Sequence, residues 1–234
     1  FAQMQGADLA NSQMQGADLT EATLRGANLM FAQMQGADFT RAQMQAADLM
    51  NAQMQGSDLT ATQFQVANLA NAYVFRASSN FIRTTDAQLT DLKLSKIQII
   101  AKDKLIFNFI AEPILDTDIE EWLATTLPFI KSTSIKKALT HRFNRLKGEP
   151  TGADVADAKK WQALVAEATA SDPFGTKHRD KLAKLLGDLA CEGGISATHV
   201  ARKLFAPIGI IGHNVETLAS SRLGDQLGTV INRM

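Results

Sequence analysis

The histidines and the single cysteine are the first residues to consider for chemistry, because imidazole and thiol groups serve as ligands, bases and nucleophiles. The histidines are His141, His178, His199 and His213, and the cysteine is Cys191. His199 and His213 have no cysteine or acidic residue at metal-ligand spacing. Cys191 lacks the histidine and asparagine of a cysteine nucleophile and is expected to pack on a helix. We therefore predict no metal, no cofactor and no enzymatic activity.

The tripeptide His178-Arg179-Asp180 matches the opening of a protein-kinase catalytic loop. The asparagine that should follow is replaced by Leu185, and the sequence has neither the glycine-rich loop nor the metal-binding DFG motif. These three residues are better interpreted as the first turn of a helix.

A basic segment follows Glu121 and contains no acidic residue before Glu149. Its cations are Lys131, Lys136, Lys137, His141, Arg142, Arg145 and Lys147. Such a segment is typical of a contact with phosphates or with an acidic partner. Two alternatives remain open: a solvated helix face, and docking against an acidic part of the same chain. We take Lys136, Lys137, His141 and Arg145 as candidate partner contacts.

A second basic segment, residues 193–205, faintly resembles a helix-turn-helix, with Ser196 as the N-cap and Arg202 and Lys203 facing outward. The loop that begins at Pro207 is not followed by a second basic helix. Nucleic acid is therefore not an expected partner.

The elements that position these residues are dominated by a five-residue repeat in residues 1–75. Every fifth residue from Met4 to Val74 is apolar, and the residue two places earlier is always Ala, Ser or Thr. A period of five fits neither a helix, at 3.6, nor a strand, at 2.0. The chain must therefore turn after every five residues, as in a repeat architecture.

The repeats read Ala7-Asp8-Leu9, Ala17-Asp18-Leu19, Ala27-Asn28-Leu29, Ala37-Asp38-Phe39 and Ala47-Asp48-Leu49. This resembles the A(D/N)LxX pattern of the pentapeptide-repeat family. The resemblance implies a right-handed quadrilateral β-helix with four pentapeptides in each coil. Stacked coils would rise about 4.8 Å each, so five coils would form a rod of roughly 24 Å.

The repeat weakens after residue 75 but returns at Ala87, Leu92 and Ile97, which predicts a degenerate coil over 76–100. A single helix that opens at Thr85 is the alternative. Residues 101–116 are predicted to be a capping or linker segment, in which 104–110 is a last strand or a plug over the end of the rod.

Residues 117–234 are predicted to form an α-helical domain, giving a mixed β and α fold. The first helix should begin at a capping box formed by Thr117 and Glu120. Further helices are expected over 134–147, 153–170, 178–191, 197–205 and 214–231 from their apolar periodicity and their Gly and Pro boundaries.

With 20 residues in each coil, outward residues form columns on the faces of the rod. One face carries Asp18, Asp38 and Asp58, whose stacked like charges repel unless something compensates them. The opposite face carries an apolar stripe of Met30, Phe31 and Met50. Exposed stripes of this kind usually mark a contact. The occupant of the stripe is either the downstream domain folding back, or a partner or second subunit.

Charge and composition restrict the class of protein. The chain has no net charge, but residues 1–75 hold six acidic and two basic residues. One cysteine excludes an internal disulfide and fits a reducing cytoplasm. There is no apolar run of about 20 residues that would span a bilayer. Because the sequence starts inside a full repeat, we expect it to be the C-terminal fragment of a longer bacterial protein.

These observations predict a non-enzymatic scaffold in which a rod with flat faces and a helical domain bind a protein of unknown identity or form a homodimer. The family resemblance implies an alternative, a DNA mimic that protects DNA gyrase. A duplex of roughly 24 Å carries about 14 phosphates, far more than the aspartates of the two acidic columns. A third alternative is an effector module in the helical domain, carried on the rod as a spacer.

Overall fold

A computed structural model of the chain describes residues 1–95, 97–101, 109–173 and 175–191. Its first part is a rod of stacked coils. Parallel bridges join every fifth residue to the residue 20 positions later, from Gln3 with Thr23 to Tyr73 with Lys93, except between Asp58 and Ser78. Backbone amides follow the same spacing, since the Thr23 amide donates to the Ala2 carbonyl at 2.9 Å. The predicted 20-residue coil is confirmed.

The turns explain the five-residue period. Every fifth residue from Gly6 to Asp91 has a positive φ, between +54° and +68°. One left-handed residue ends each side of the coil and sends the chain into the next side. The predicted apolar column then points inward, and its members from Leu24 to Val74 are at most 1% exposed. The small residues two places earlier share this interior with them.

The regular bridging of the coils is interrupted at Ser78, where the last coil begins. Ser78 makes no bridge; its hydroxyl instead accepts the Leu59 amide at 2.9 Å. Coil turns continue through residues 85–93, so the helix considered at Thr85 does not form.

The rod ends near residue 95 rather than at 100. Strand β1, Ile97–Ala101, leaves the coil and pairs antiparallel with strand β2, Phe109–Pro113. Of the predicted plug 104–110, only its last two residues lie in a described strand, and 104–108 lie outside the described residues.

Four helices follow: α1 at Asp116–Thr126, α2 at Thr133–Asn144, α3 at Gly152–Ser171 and α4 at Thr176–Cys191. A 3₁₀ turn, Leu127–Phe129, separates α1 from α2. The predicted helices 197–205 and 214–231 lie outside the described residues.

The predicted capping box at Thr117 does not form, because α1 begins two residues earlier, with Leu115 as its N-cap. The Leu115 amide donates to the Asp118 carboxylate at 2.8 Å instead. Helix α3 does begin with a capping box, in which Thr151 and Asp154 exchange hydrogen bonds.

The described helices pack in two different ways. Among them, α1 and α2 pack on each other, with Trp122 and Phe143 in edge contact at 5.6 Å between ring centroids. Trp161 of α3 belongs instead to the interior cluster of the rod. The helices are therefore arranged around the rod, and their contacts with it form the sites described next.

Candidate interaction surfaces of the rod and the helices

Helix α2 lies along a column of glycines at one corner of the rod. Gly16, Gly36 and Gly56 occupy equivalent positions in successive coils, with φ from +66° to +68°. A Cβ on Gly36 would stand 3.0 Å from the Phe143 ring, and one on Gly16 would overlap Leu139. The absence of side chains therefore creates the groove that receives α2.

Arg76 takes the fourth position of this column and fixes the end of α2. Its side chain is 2% exposed, and its Nε lies 3.2 Å from the Asp154 carboxylate. Its guanidinium also donates to the Lys147 carbonyl at 2.7 Å and to the Gly148 carbonyl at 3.2 Å. One buried cation thus joins the end of α2 and the start of α3 to the rod.

The surroundings of the Asp154 carboxylate favour its ionised form, which pairs with Arg76. Burial alone would raise the pKa of Asp154, but hydrogen bonds from Thr151 and the charges of Arg76 and Arg145 hold it below its usual value. Asp154 therefore stays ionised opposite the buried arginine.

The Asp18, Asp38 and Asp58 column is compensated by its neighbours. The Arg142 guanidinium of α2 forms an ion pair with the Asp38 carboxylate at 2.8 Å. Asp58 accepts hydrogen bonds from the hydroxyls of Thr60 at 2.6 Å and Ser78 at 2.8 Å. Burial alone would raise the pKa of Asp58, but these bonds and the Arg142 charge hold it low.

On the opposite face of the rod, the acidic column avoids repulsion between stacked carboxylates because asparagines alternate with aspartates. The Asn28 amide donates to Asp8 at 2.9 Å, and the Asn68 amide donates to Asp48 at 3.0 Å. Each charge is therefore separated from the next by a neutral donor, which removes the like-charge contact between adjacent coils.

Beside this ladder, the predicted apolar stripe of Met30, Phe31 and Met50 is half-buried. Within the described residues, the helices that fold back onto the rod contact it at the glycine column and at the last coil. The stripe belongs to the face on the other side of the rod from the α2 ion pair with Asp38.

The basic segment divides into two parts. Arg142 contacts Asp38, Arg145 donates to the Arg76 carbonyl at 3.2 Å, and Lys147 pairs with Glu120 at 3.0 Å. The docking alternative therefore describes this C-terminal part of the segment. The side chains of the remaining cations make no hydrogen bond or ion pair within the described residues: Lys131, Lys136, Lys137 and His141.

Helix α3 closes the C-terminal end of the rod. Trp161 is 1% exposed, packs on the interior cluster and donates its indole N–H to the Ala77 carbonyl at 3.3 Å. The equivalent carbonyls of Ala37 and Ser57 accept an amide from the next coil, so the indole takes the place of that ladder partner. Leu164, Val165 and Ala168 continue the contact.

Helix α4 begins against the last coil. His178 is buried, its Nδ1 contacts the Asp86 carbonyl at 2.9 Å, and its amide donates to Asp172 at 2.8 Å. Lys181 forms an ion pair with the Asp86 carboxylate. Burial lowers the pKa of His178, and the Asp86 carbonyl and Asp172 only partly oppose it. The described contacts of His178 therefore give it a packing role at the start of α4.

Nothing in the described ranges adds a metal site, since no group of three or more His, Cys, Asp or Glu side chains is suitably placed there. None of the four described helices is long and apolar enough to cross a membrane. His199, His213 and the segment 193–205 lie outside the residues that the structure describes.

Sequence reasoning missed the contact roles of three features that organise these surfaces: the glycine column, Arg76 and Trp161. A signal for the first two was present. Gly16, Gly36 and Gly56 recur at the 20-residue coil spacing, and a long charged residue replaces the next glycine. Trp161 gave no comparable signal, because an apolar residue on a helix does not reveal what it packs against.

Comparison with protein-family models finds pentapeptide repeats, in eight copies, at residues 2–41. This match confirms the family expectation for the N-terminal part and implies that family's right-handed β-helix. No curated protein matches the chain.

Solved structures of pentapeptide-repeat proteins resemble part of the chain. One, Rfr23 from the cyanobacterium Cyanothece 51142, is 20% identical over 39% of this chain and 63% of its own, with a TM-score of 0.38. A protein from the Arabidopsis thaliana thylakoid lumen is 21% identical over 52% and 75%, with a TM-score of 0.33. QnrB1, a plasmid-mediated fluoroquinolone resistance protein, is 17% identical over 40% and 61%, with a TM-score of 0.27. The chain thus spans less than two thirds of Rfr23 and of QnrB1.

Proposed function

We propose, from the premise that the N-terminal part of this chain belongs to the pentapeptide-repeat family, that the protein is a non-enzymatic scaffold for protein interaction. Its partner would bind the rod face that carries the stripe of Met30, Phe31 and Met50. The observation that supports this proposal most directly is the location of the helices, which dock at the glycine column and the last coil. The stripe lies on the face across the rod from these described helices.

The chemistry of that face suits a protein partner. Three large apolar side chains lie beside a ladder of Asp and Asn side chains. An apolar centre with polar groups at its margin is the usual anatomy of a protein interface. The alternating Asp–Asn hydrogen bonds hold the ladder rigid, so binding would cost little side-chain entropy there.

The test uses replacements that the repeat itself provides. Ala10 and Ala70 stand at the positions of Met30 and Met50 in other coils. Asn11, Asn51 and Asn71 stand at the position of Phe31, with the same positive φ. The triple variant M30A/F31N/M50A should therefore remove the stripe and keep the coil, because each new residue already occurs at the equivalent site.

Proteins captured by the wild-type chain from a lysate of its native host would be compared with those captured by the triple variant and by T20A/T40A, a control on the acidic face. We expect specific partners to be lost from the triple variant and retained by the control. Equal capture by all three proteins would exclude the stripe as the binding site.

The gyrase-protecting function is less well supported by the geometry. A DNA mimic needs acidic groups that its target can reach, whereas Asp38 is paired with Arg142 and Asp58 is bonded to Thr60 and Ser78. We expect the protein to leave supercoiling by gyrase unchanged in the presence and absence of a quinolone. Protection that disappears in an Asp18→Asn/Asp38→Asn/Asp58→Asn variant would instead establish mimicry.

A further inference from the structure

A second surface lies where the 3₁₀ turn leads into α2. Phe129 is 86% exposed and Ile135 is 40% exposed, which is unusual for large apolar side chains. Lys131 and Lys137 are exposed and Lys136 is half-buried. These five residues, which we name the basic-apolar patch, are close together in the chain and are held by Ile130, which packs on the cluster beneath α1 and α2.

The lysines of the patch are not used by the fold. No acidic residue occurs between Glu121 and Glu149. The later cations of this segment are occupied, as Arg142 pairs with Asp38 and Lys147 with Glu120. The three patch lysines make no ion pair within the described residues, so their positive charge is available to a ligand.

The combination of free lysines with exposed apolar groups restricts the chemistry of that ligand. A solvated helix face does not require Phe129, and phosphates of a nucleic acid offer it no apolar environment. The surface of an anionic bilayer offers both, since its headgroups attract lysines and its acyl boundary accepts aromatic and aliphatic side chains.

We infer that the basic-apolar patch is a site for peripheral binding to an anionic lipid surface. Phe129 and Ile135 would enter the headgroup region, and Lys131, Lys136 and Lys137 would contact lipid phosphates or carboxylates. The patch is separate from the Met30 stripe, so a rod docked on a membrane through α2 would still present the proposed partner face.

The direct test is co-sedimentation of the full chain with two kinds of vesicle, phosphatidylcholine alone and phosphatidylcholine mixed with phosphatidylserine. We expect binding to the mixed vesicles only, and weaker binding as salt is raised, because screening reduces the lysine contribution.

Three variants sharpen the experiment. The variant K131S/K136S/K137S should lose about 100-fold in affinity for the mixed vesicles, at about tenfold for each 1.4 kcal/mol and about 1 kcal/mol for each lysine. Phe129→Ser should weaken binding at unchanged charge. The control K159S/K184S removes two exposed lysines of α3 and α4 and should bind like the wild type. All these side chains except Lys136 are exposed, so circular dichroism and melting temperature should change little.

Three results would overturn the inference: no sedimentation with anionic vesicles, equal loss in the lysine variant and its control, or binding to a DNA duplex without any binding to vesicles. The last result would assign the patch to nucleic acid. The M30A/F31N/M50A variant should bind vesicles normally, so failure of this inference and failure of the proposed function are distinguishable.

Discussion

The rod and the helices are stabilised in different ways. In the rod, each coil is hydrogen-bonded to the next through its backbone, and its interior is filled by its own repeat except at the C-terminal end, where Trp161 of α3 packs. Helices α3 and α4 make their specific contacts with the rod, through Trp161 and His178. Helix α2 contacts α1 but places Leu139 and Phe143 in the glycine groove. Away from its C-terminal end, the rod makes its contacts within itself, whereas the helices depend on a surface that the rod provides.

This difference predicts how the rod and the helices should respond to substitutions. A change in the contact between helix and rod should release a helix and leave the coils intact. A change within one helix that does not reach the rod should have a smaller effect. The predictions below test this asymmetry, from the largest expected effect to the smallest.

Replacing Trp161 by Ala should have the largest effect. It removes a fully buried ring from the end of the rod and leaves the Ala77 carbonyl without its donor. Substitutions of this kind cost about 3–5 kcal/mol. Chemical denaturation would measure the loss. Trp122→Ala, at the half-buried α1–α2 contact, should cost clearly less, and an equal cost would contradict the dependence of the helices on the rod.

Replacing Arg76 by Met should cost about 3 kcal/mol, because it leaves Asp154 and several carbonyls buried without their cation. Adding Asp154→Asn should recover part of this loss, since it removes the orphaned charge. Arg83→Met, an exposed arginine of the same coil, should change the free energy of unfolding by less than about 0.5 kcal/mol. Similar losses for the two arginines would refute the role assigned to Arg76.

Acidification should weaken the α4 contact before it affects the acidic column. The pKa of His178 lies below its usual 6.5 because of burial. The unfolded chain therefore takes up the proton first, and stability falls as the pH drops from about 6.5 through the lowered pKa. The pKa values of Asp58 and Asp154 lie below 3.8. Their contribution is intact above that pH and is lost as the pH falls through the lowered values.

Melting temperatures measured across this range should separate the two effects. His178→Gln keeps an N–H donor but cannot titrate, so its melting temperature should stay level between about pH 7 and pH 5 while that of the wild type declines. Parallel declines would show that another group controls the transition.

The sequence predicted the rod well because the same packing and turn requirements recur every five residues. An inward residue every five positions and a turn at every fifth residue are local rules, and 20 residues per coil then fixes which residues stack. The end of the rod was harder to predict. Ile97 and Ile99 keep the spacing of the repeat, but they lie in a strand that pairs with Phe109–Pro113, a partner that no local pattern identifies.

The helices were predicted from their apolar spacing and caps, but their placement was not. The periodicity of α2 identifies Leu139 and Phe143 as a buried face without saying that glycines of the rod cover it. The same limit applies to the basic segment, in which Arg142 and Lys136 look equivalent in sequence. The two differ only in the folded structure, in which Asp38 lies next to Arg142 and not next to Lys136.

The most direct test of the central claim is hydrogen exchange of the α2 amides in a pair of matched variants, Gly36→Val and Gly26→Val. Both glycines have nearly the same φ, +66° and +64°. Ala46 and Val66 already occupy the Gly26 column at positive φ, so the coil tolerates a side chain there. The account predicts faster exchange throughout α2 in Gly36→Val, whose new side chain meets Phe143, and unchanged exchange in Gly26→Val. Equal protection of α2 in both variants would contradict the claim that the rod holds this helix.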